Sequence, residues 1–118
     1  LRLIASAQSV DLNSVADTVC NVIDSGRYSV QSVIVTNASV NLTTGQLAVF
    51  TGASATGTAI LSASALTDCT TASVVKIFTA SSTAAQTTTP LYVRCTTAQG
   101  AAATADVFIY GYDLTFLP

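Results

Sequence analysis

The sequence has 118 residues and a net charge of −2, from four bases and six acids. That length suits one domain with its own core. Arg2, Arg27, Lys76 and Arg94 are scattered, which excludes phosphate recognition by a basic cluster, so nucleic acid is not an expected partner. No apolar run reaches the ~20 residues of a membrane span, so no membrane contact is expected either.

Val, Thr, Ile and Tyr dominate short runs set between clusters of Gly, Ser, Thr, Asn and Asp, which suits pleated strands with tight turns. Residues 2–5 and 8–12 read as an extended N-terminal arm or edge strand. Residues 18–23 form a strand that ends at the turn Asp24-Ser25-Gly26. Tyr28 to Thr36 is the longest central strand, closed by Asn37. Val40 to Leu42 reads as a short strand before Thr43-Thr44-Gly45, with Gln46 to Thr51 as its hairpin partner. Thr58 to Ser64 and Ser73 to Ala80 are further strands. Thr79 to Thr89 is the softest stretch, an exposed loop or ragged edge. Leu91 to Thr96 follows Pro90, which suits the start of a strand. Ala103 to Tyr112 is the last long strand, and Asp113 to Leu117 is a tail.

The elements add up to an all-β, antiparallel β-sandwich, jelly-roll-like, with about eight or nine short strands. An up-and-down barrel is the second choice. The domain division is an arm at 1–12 and a single β-sandwich domain at 13–118. Leu1, Arg2, Leu3 and Ile4 give the arm an apolar grip beside one positive charge, so an attachment segment is expected there. A chain that opens Leu-Arg-Leu and holds no Met reads as a processed product or as the continuation of a longer chain. Signal-peptide cleavage and capsid-type maturation both give such a start.

Three strands lose the alternation expected of a sheet with one wet face: Val33–Val35, Val74–Phe78 and Val107–Tyr110. Hydrophobic residues make up 50% of the chain and charged residues 8%, against about 25% charged in an average protein. A folded chain of this mass exposes about 6,000 Å², so the few charges leave most of that area bare. The expectation is a second covered face, with a neighbouring subunit as the cover.

Catalysis finds little support. His and Glu are absent, which removes the commonest proton-transfer groups and any Ser-His-Asp or Cys-His arrangement. The six Asp residues fall mostly at turns and strand ends. No C-x-x-C occurs, so no metal or cofactor is expected. Gly52-Ala53-Ser54-Ala55-Thr56-Gly57-Thr58 imitates a phosphate loop but lacks its Lys and a following helix, and reads as a loop between strands. Asn37-Ala38-Ser39 and Asn41-Leu42-Thr43 match the glycosylation sequon by chance in so Ser/Thr-rich a chain. Of the three cysteines, Cys95 shares its phase with Leu91 and Val93 and should face the core. Cys20 is ambiguous. Cys69, in the polar stretch Thr67-Asp68-Cys69-Thr70-Thr71, should be exposed, either as a reduced thiol or as an intersubunit disulfide, and one internal bridge with a spare thiol is the other arrangement that three cysteines allow.

Two stretches, Val33-Ile34-Val35-Thr36-Asn37-Ala38-Ser39-Val40-Asn41-Leu42-Thr43-Thr44-Gly45 and Leu91-Tyr92-Val93-Arg94-Cys95 running on to Tyr110-Gly111-Tyr112, resemble small virion structural proteins of tailed bacteriophages. The likeness spans roughly residues 28–112 and is nearest to the decoration (cement) proteins bound outside capsids. It implies a β-sandwich, often a homotrimer, that binds the major capsid protein or other virion proteins. Such a subunit sits on the outer surface of the capsid and braces it against internal pressure. A neck, tail or head-fibre position is a variant of the same reading. The alternative is a secreted or surface β-sandwich binding module, an adhesin or carbohydrate-binding domain. Such modules usually offer exposed Trp or Tyr platforms. This chain has no Trp, and its tyrosines fall mostly inside strand patterns, which favours the virion subunit.

Overall fold

A computed structural model of the chain describes residues 1–115. It is all-β, with eight strands: β1 (Arg2–Asp11), β2 (Asp17–Val22), β3 (Tyr28–Thr36), β4 (Gln46–Gly52), β5 (Thr56–Ala65), β6 (Lys76–Thr79), β7 (Leu91–Thr97) and β8 (Thr104–Asp113). They form one sheet in the order β5-β4-β7-β2-β1-β8-β3-β6, and every neighbouring pair is antiparallel. The sheet curls until its two end strands approach. The Ser81 N–H, just after β6, donates to the Ile60 carbonyl of β5 at 2.8 Å, so the sheet is nearly closed into a barrel.

The stretch Thr79 to Thr89 is stitched down. The Ala80 N–H donates to the Gln31 carbonyl at 3.1 Å, and Gln86 and Tyr28 exchange backbone bonds of 2.8 and 3.0 Å. Two hydroxyls of β3 hold the stretch as well: Ser29 and Tyr28 donate to the Thr83 and Thr88 carbonyls.

Two expected strands change. Val40 to Leu42 is loop, and β4 pairs with β5 and β7 instead of with it. The loop is held by side chains. Leu42 is fully buried, and the Gln99 amide oxygen accepts from the Thr44 and Gly45 N–H groups at 2.9 and 2.8 Å. The run 73–80 narrows to Lys76–Thr79, and just ahead of that ladder the Thr36 hydroxyl donates to the Val74 carbonyl at 2.9 Å. Of the expected tail, Asp113 ends β8, and residues 116–117 lie outside the described residues.

The arm at 1–12 is not an arm. β1 pairs with β8 along nearly its whole length and with β2 on its other side, so it is an interior strand. Ile4, Ala5, Ala7, Val10 and Leu12 are buried in the common core. The break between 2–5 and 8–12 corresponds to bulges, with register shifts at Leu3/Ala5 and Ala7/Val10. Ser9 takes a positive φ of 52° at the second bulge, and its N–H is caught by the Asp106 carboxylate at 2.9 Å. A bulge breaks the two-residue period and disguises a core strand as two fragments.

The core is one cluster drawn from both ends of the sheet order: Leu47, Val49, Leu91, Val93 and Cys20 on one side, Val33, Val35, Val107 and Ile109 on the other. Burying each such Leu, Ile or Val contributes about 1.5–3 kcal/mol. The strands that lacked alternation in sequence do alternate in burial. Val33, Val35, Val107 and Ile109 point inward, while Ile34, Phe108 and Tyr110 are half-buried on the outer face.

The tip between β4 and β5 holds backbone strain. Ser54 and Ala55 both have positive φ, 56° and 59°, the pair of signs that favours Asn-Gly in a hairpin. A residue with a Cβ costs about 1–2 kcal/mol in that region. The tip is held by the Ser54 N–H, which donates to the Asp17 carboxylate at 2.7 Å. The double change Ser54→Asn, Ala55→Gly is expected to stabilise the protein by about 1–2 kcal/mol. Urea denaturation checks this, and an unchanged midpoint would show that the tip is unstrained.

Candidate interaction surface

The ladder registers line outward side chains into rows. Across β1, β8, β3 and β6, Ser6, Phe108, Ile34 and Ile77 stand side by side, and so do Leu3, Tyr110, Ser32 and Thr79. Neither row holds a charge. Ile77 is 61% exposed and Val75, just before β6, is 57% exposed. The acid at the border, Asp106, is engaged by the Ser9 N–H and by the Asn37 side-chain amide at 3.1 Å. Lys76 has the opposite phase to Ile77. Its ammonium binds Asp68 at 2.8 Å and lies 5.4 Å from the centre of the Phe78 ring.

The other half of the sheet repeats the pattern. Val19, Tyr92, Phe50 and Ala59 form an outward row across β2, β7, β4 and β5, and Val19 is 54% exposed. The adjoining row carries the Asp17–Arg94 ion pair at 3.1 Å, which is largely screened from water. Both outer faces thus combine apolar rows with charges that already have partners. Among the described residues the surface has no pocket, and no three metal-ligating side chains converge.

The expected attachment residues do not share a surface. Leu1 is exposed, Leu3 half-buried and Ile4 fully buried, because successive strand residues face opposite ways. The Arg2 guanidinium donates to the Ile23 and Asp24 carbonyls and lies 3.8 Å from Asp113. This cluster at the start of β1 was not legible in sequence, since Asp113 and Thr115 join it from more than 80 residues away. In it the Thr115 N–H donates to Asp113 at 3.0 Å and the Ser25 hydroxyl at 2.8 Å. Those bonds, the Thr115 backbone first, hold the Asp113 carboxyl down at about 2, below its ordinary 3.8. A depressed folded-state pKa contributes stability above the unfolded value and loses it as pH falls through the folded one. The melting temperature is therefore expected to fall between pH 3.8 and about 2, and Asp113→Asn should flatten that fall. Parallel acid slopes for the two proteins would contradict it.

Cys69 is buried, not exposed. Its N–H donates to the Leu66 carbonyl at 2.9 Å, and its carbonyl accepts from the Leu42 N–H at 3.1 Å. This turn tucks the thiol into the core while its polar neighbours stay in water, which removes the basis for an intersubunit disulfide at Cys69. Cys95 is buried as its phase predicts, and Cys20 is buried too. Burial pushes all three thiols up, Cys20 to about 12. None is expected to react with a thiol reagent in the native state at neutral pH. Rapid modification of Cys69 without denaturant would contradict its placement.

Comparison with protein-family models, with curated proteins and with solved structures found no match for this chain.

Proposed function

We propose that the chain is a non-enzymatic structural subunit of a tailed-bacteriophage virion, a decoration protein on the outer surface of the capsid. It binds the major capsid protein and braces the shell, and copies also meet one another, as homotrimers in the resemblance. The observation that carries this reading is the pair of outer faces, each with an apolar row and no unpartnered charge beside it. Such rows lose little on burial against another uncharged protein surface, because they hold no ion that must be stripped of water.

The strand order supports reading the curled sheet as a jelly-roll. It divides into the runs β6-β3-β8-β1 and β2-β7-β4-β5, each of which alternates early and late strands as a double Greek key does. That architecture serves viral capsid and lectin domains alike, so the test must separate the two. In a lysate made by the encoding genome, the chain should band with particles in a density gradient and bind no glycan on an array. Recovery in the soluble fraction together with a specific glycan ligand would favour the binding module and overturn the virion reading.

A further inference from the structure

We propose that β6 is a self-pairing edge, joined antiparallel across a two-fold axis to β6 of a second copy and centred on Ile77. The proposal does not rest on the virion reading, and it replaces the homotrimer of that reading with a two-fold pair.

β6 ends the sheet order, and β3 is its one strand neighbour among the described residues. In the β3–β6 ladder Ser32 faces Thr79, Val33 faces Phe78 and Ile34 faces Ile77. The Ala80 N–H bonds to the Gln31 carbonyl at 3.1 Å, which fixes the alternation of the antiparallel ladder. Bonded pairs fall at Gln31/Ala80, Val33/Phe78 and Val35/Lys76. The N–H and C=O groups of Ile77 and Thr79 therefore point away from β3, toward the edge that β5 meets only beyond β6, at Ser81.

Edge strands are commonly guarded by Pro or by a free Lys. β6 has no Pro, and its Lys76 is held by Asp68. Charge selects the register. Centring the pair on Lys76 would set two ammonium groups directly opposite each other, which is unfavourable. Centring it on Ile77 sets Lys76 opposite the partner's Phe78. Lys76 already lies over its own Phe78 ring, so a second aromatic face suits it. The same register sets Ile77 against the partner's Ile77 and Val75 against the partner's Thr79. The uncharged row Phe108, Ile34, Ile77 then runs without a break into the partner's Ile77, the partner's Ile34 and the partner's Phe108. The occupant that fits this edge is thus an identical one: complementary in backbone bonds, neutral in its outer row and matched in charge. A two-fold contact makes an even assembly, unlike the homotrimer that the resemblance implies.

Cysteine cross-linking tests the register. Directly opposed residues in a bonded antiparallel pair have Cα atoms about 5.5 Å apart, within the range of about 4.4–6.8 Å for disulfides. Ile77→Cys should oxidise to a covalent dimer. Thr79→Cys serves as control, because the two Thr79 positions are offset by about 13 Å along the strands. The expected yield is about tenfold higher for Ile77→Cys than for Thr79→Cys, with the unmodified protein giving none. In parallel, light scattering of the unmodified protein should give about twice 12.0 kDa. Ile77→Lys should give the monomer mass with an unchanged far-ultraviolet spectrum. A monomeric or trimeric unmodified protein, a dimer that survives Ile77→Lys, or equal cross-linking at the two positions would overturn the proposal.

Discussion

Removal of residues 1–8 is expected to abolish the folded state. Those residues supply most of β1, which lies between β2 and β8 and joins the two halves of the sheet. The deletion takes Ile4, Ala5 and Ala7 out of the core. It leaves the inner edge of β8 without its bonded partner over Ser6–Phe108 and Ala7–Val107, and it removes the Ile4 carbonyl that accepts from the Ile23 N–H at 2.8 Å. Burial of Ile4 alone contributes about 1.5–3 kcal/mol, and the unpaired backbone of β8 costs more. A domain of this size has about 5–15 kcal/mol in total. Circular dichroism should show no cooperative melt for the truncated chain. A melting temperature within a few degrees of the full chain would restore the first twelve residues to the role of a dispensable arm.

The second large effect is expected from Gly111→Ala. At the bulge where the β3–β8 register slips between Val30 and Ser32, β3 passes close over β8. A Cβ on Gly111 would overlap the Ser29 carbonyl oxygen and stand 2.9 Å from the Val30 Cα. Both obstacles are backbone, which does not swing aside as a side chain would, so the ladder itself must shift. Overpacking of that kind costs about 3 kcal/mol or more. The melting temperature should fall by roughly 15 °C. Gly26→Ala is the control, because its nearest neighbour would be the Thr115 hydroxyl at 3.8 Å, an ordinary contact. Equal effects at the two glycines would show that β3 and β8 do not approach as closely as the bulge requires.

The sequence was informative where turn residues bounded a strand or where its period ran unbroken. Tyr28 to Thr36 is bounded on both sides and is β3 to the residue, although a bulge between Val30 and Ser32 breaks its period. Cys95 could be placed by phase because β7 alternates cleanly. Legibility failed where a tertiary contact broke the local rule. The bulges of β1 split its pattern, so an interior strand read as a frayed arm. Cys69 sits in a polar turn, and only the packing of Leu66 and Leu42 beneath it turns that one residue inward. The outer rows were half legible. Loss of alternation in Val33–Val35, Val74–Phe78 and Val107–Tyr110 flagged apolar outer faces, but register decides which of these residues are neighbours, and register depends on strand order. The strand order β5-β4-β7-β2-β1-β8-β3-β6 pairs the first strand with the last, a long-range choice that no local pattern encodes.

The place of the chain on a particle is the claim on which the functional account rests, and immunogold electron microscopy tests it most directly. Antibodies raised against the purified chain should place gold over the outside of the heads of intact particles made by the encoding genome. Particles that stay unlabelled, with gold confined to cell envelopes or to the soluble background, would contradict a decoration subunit.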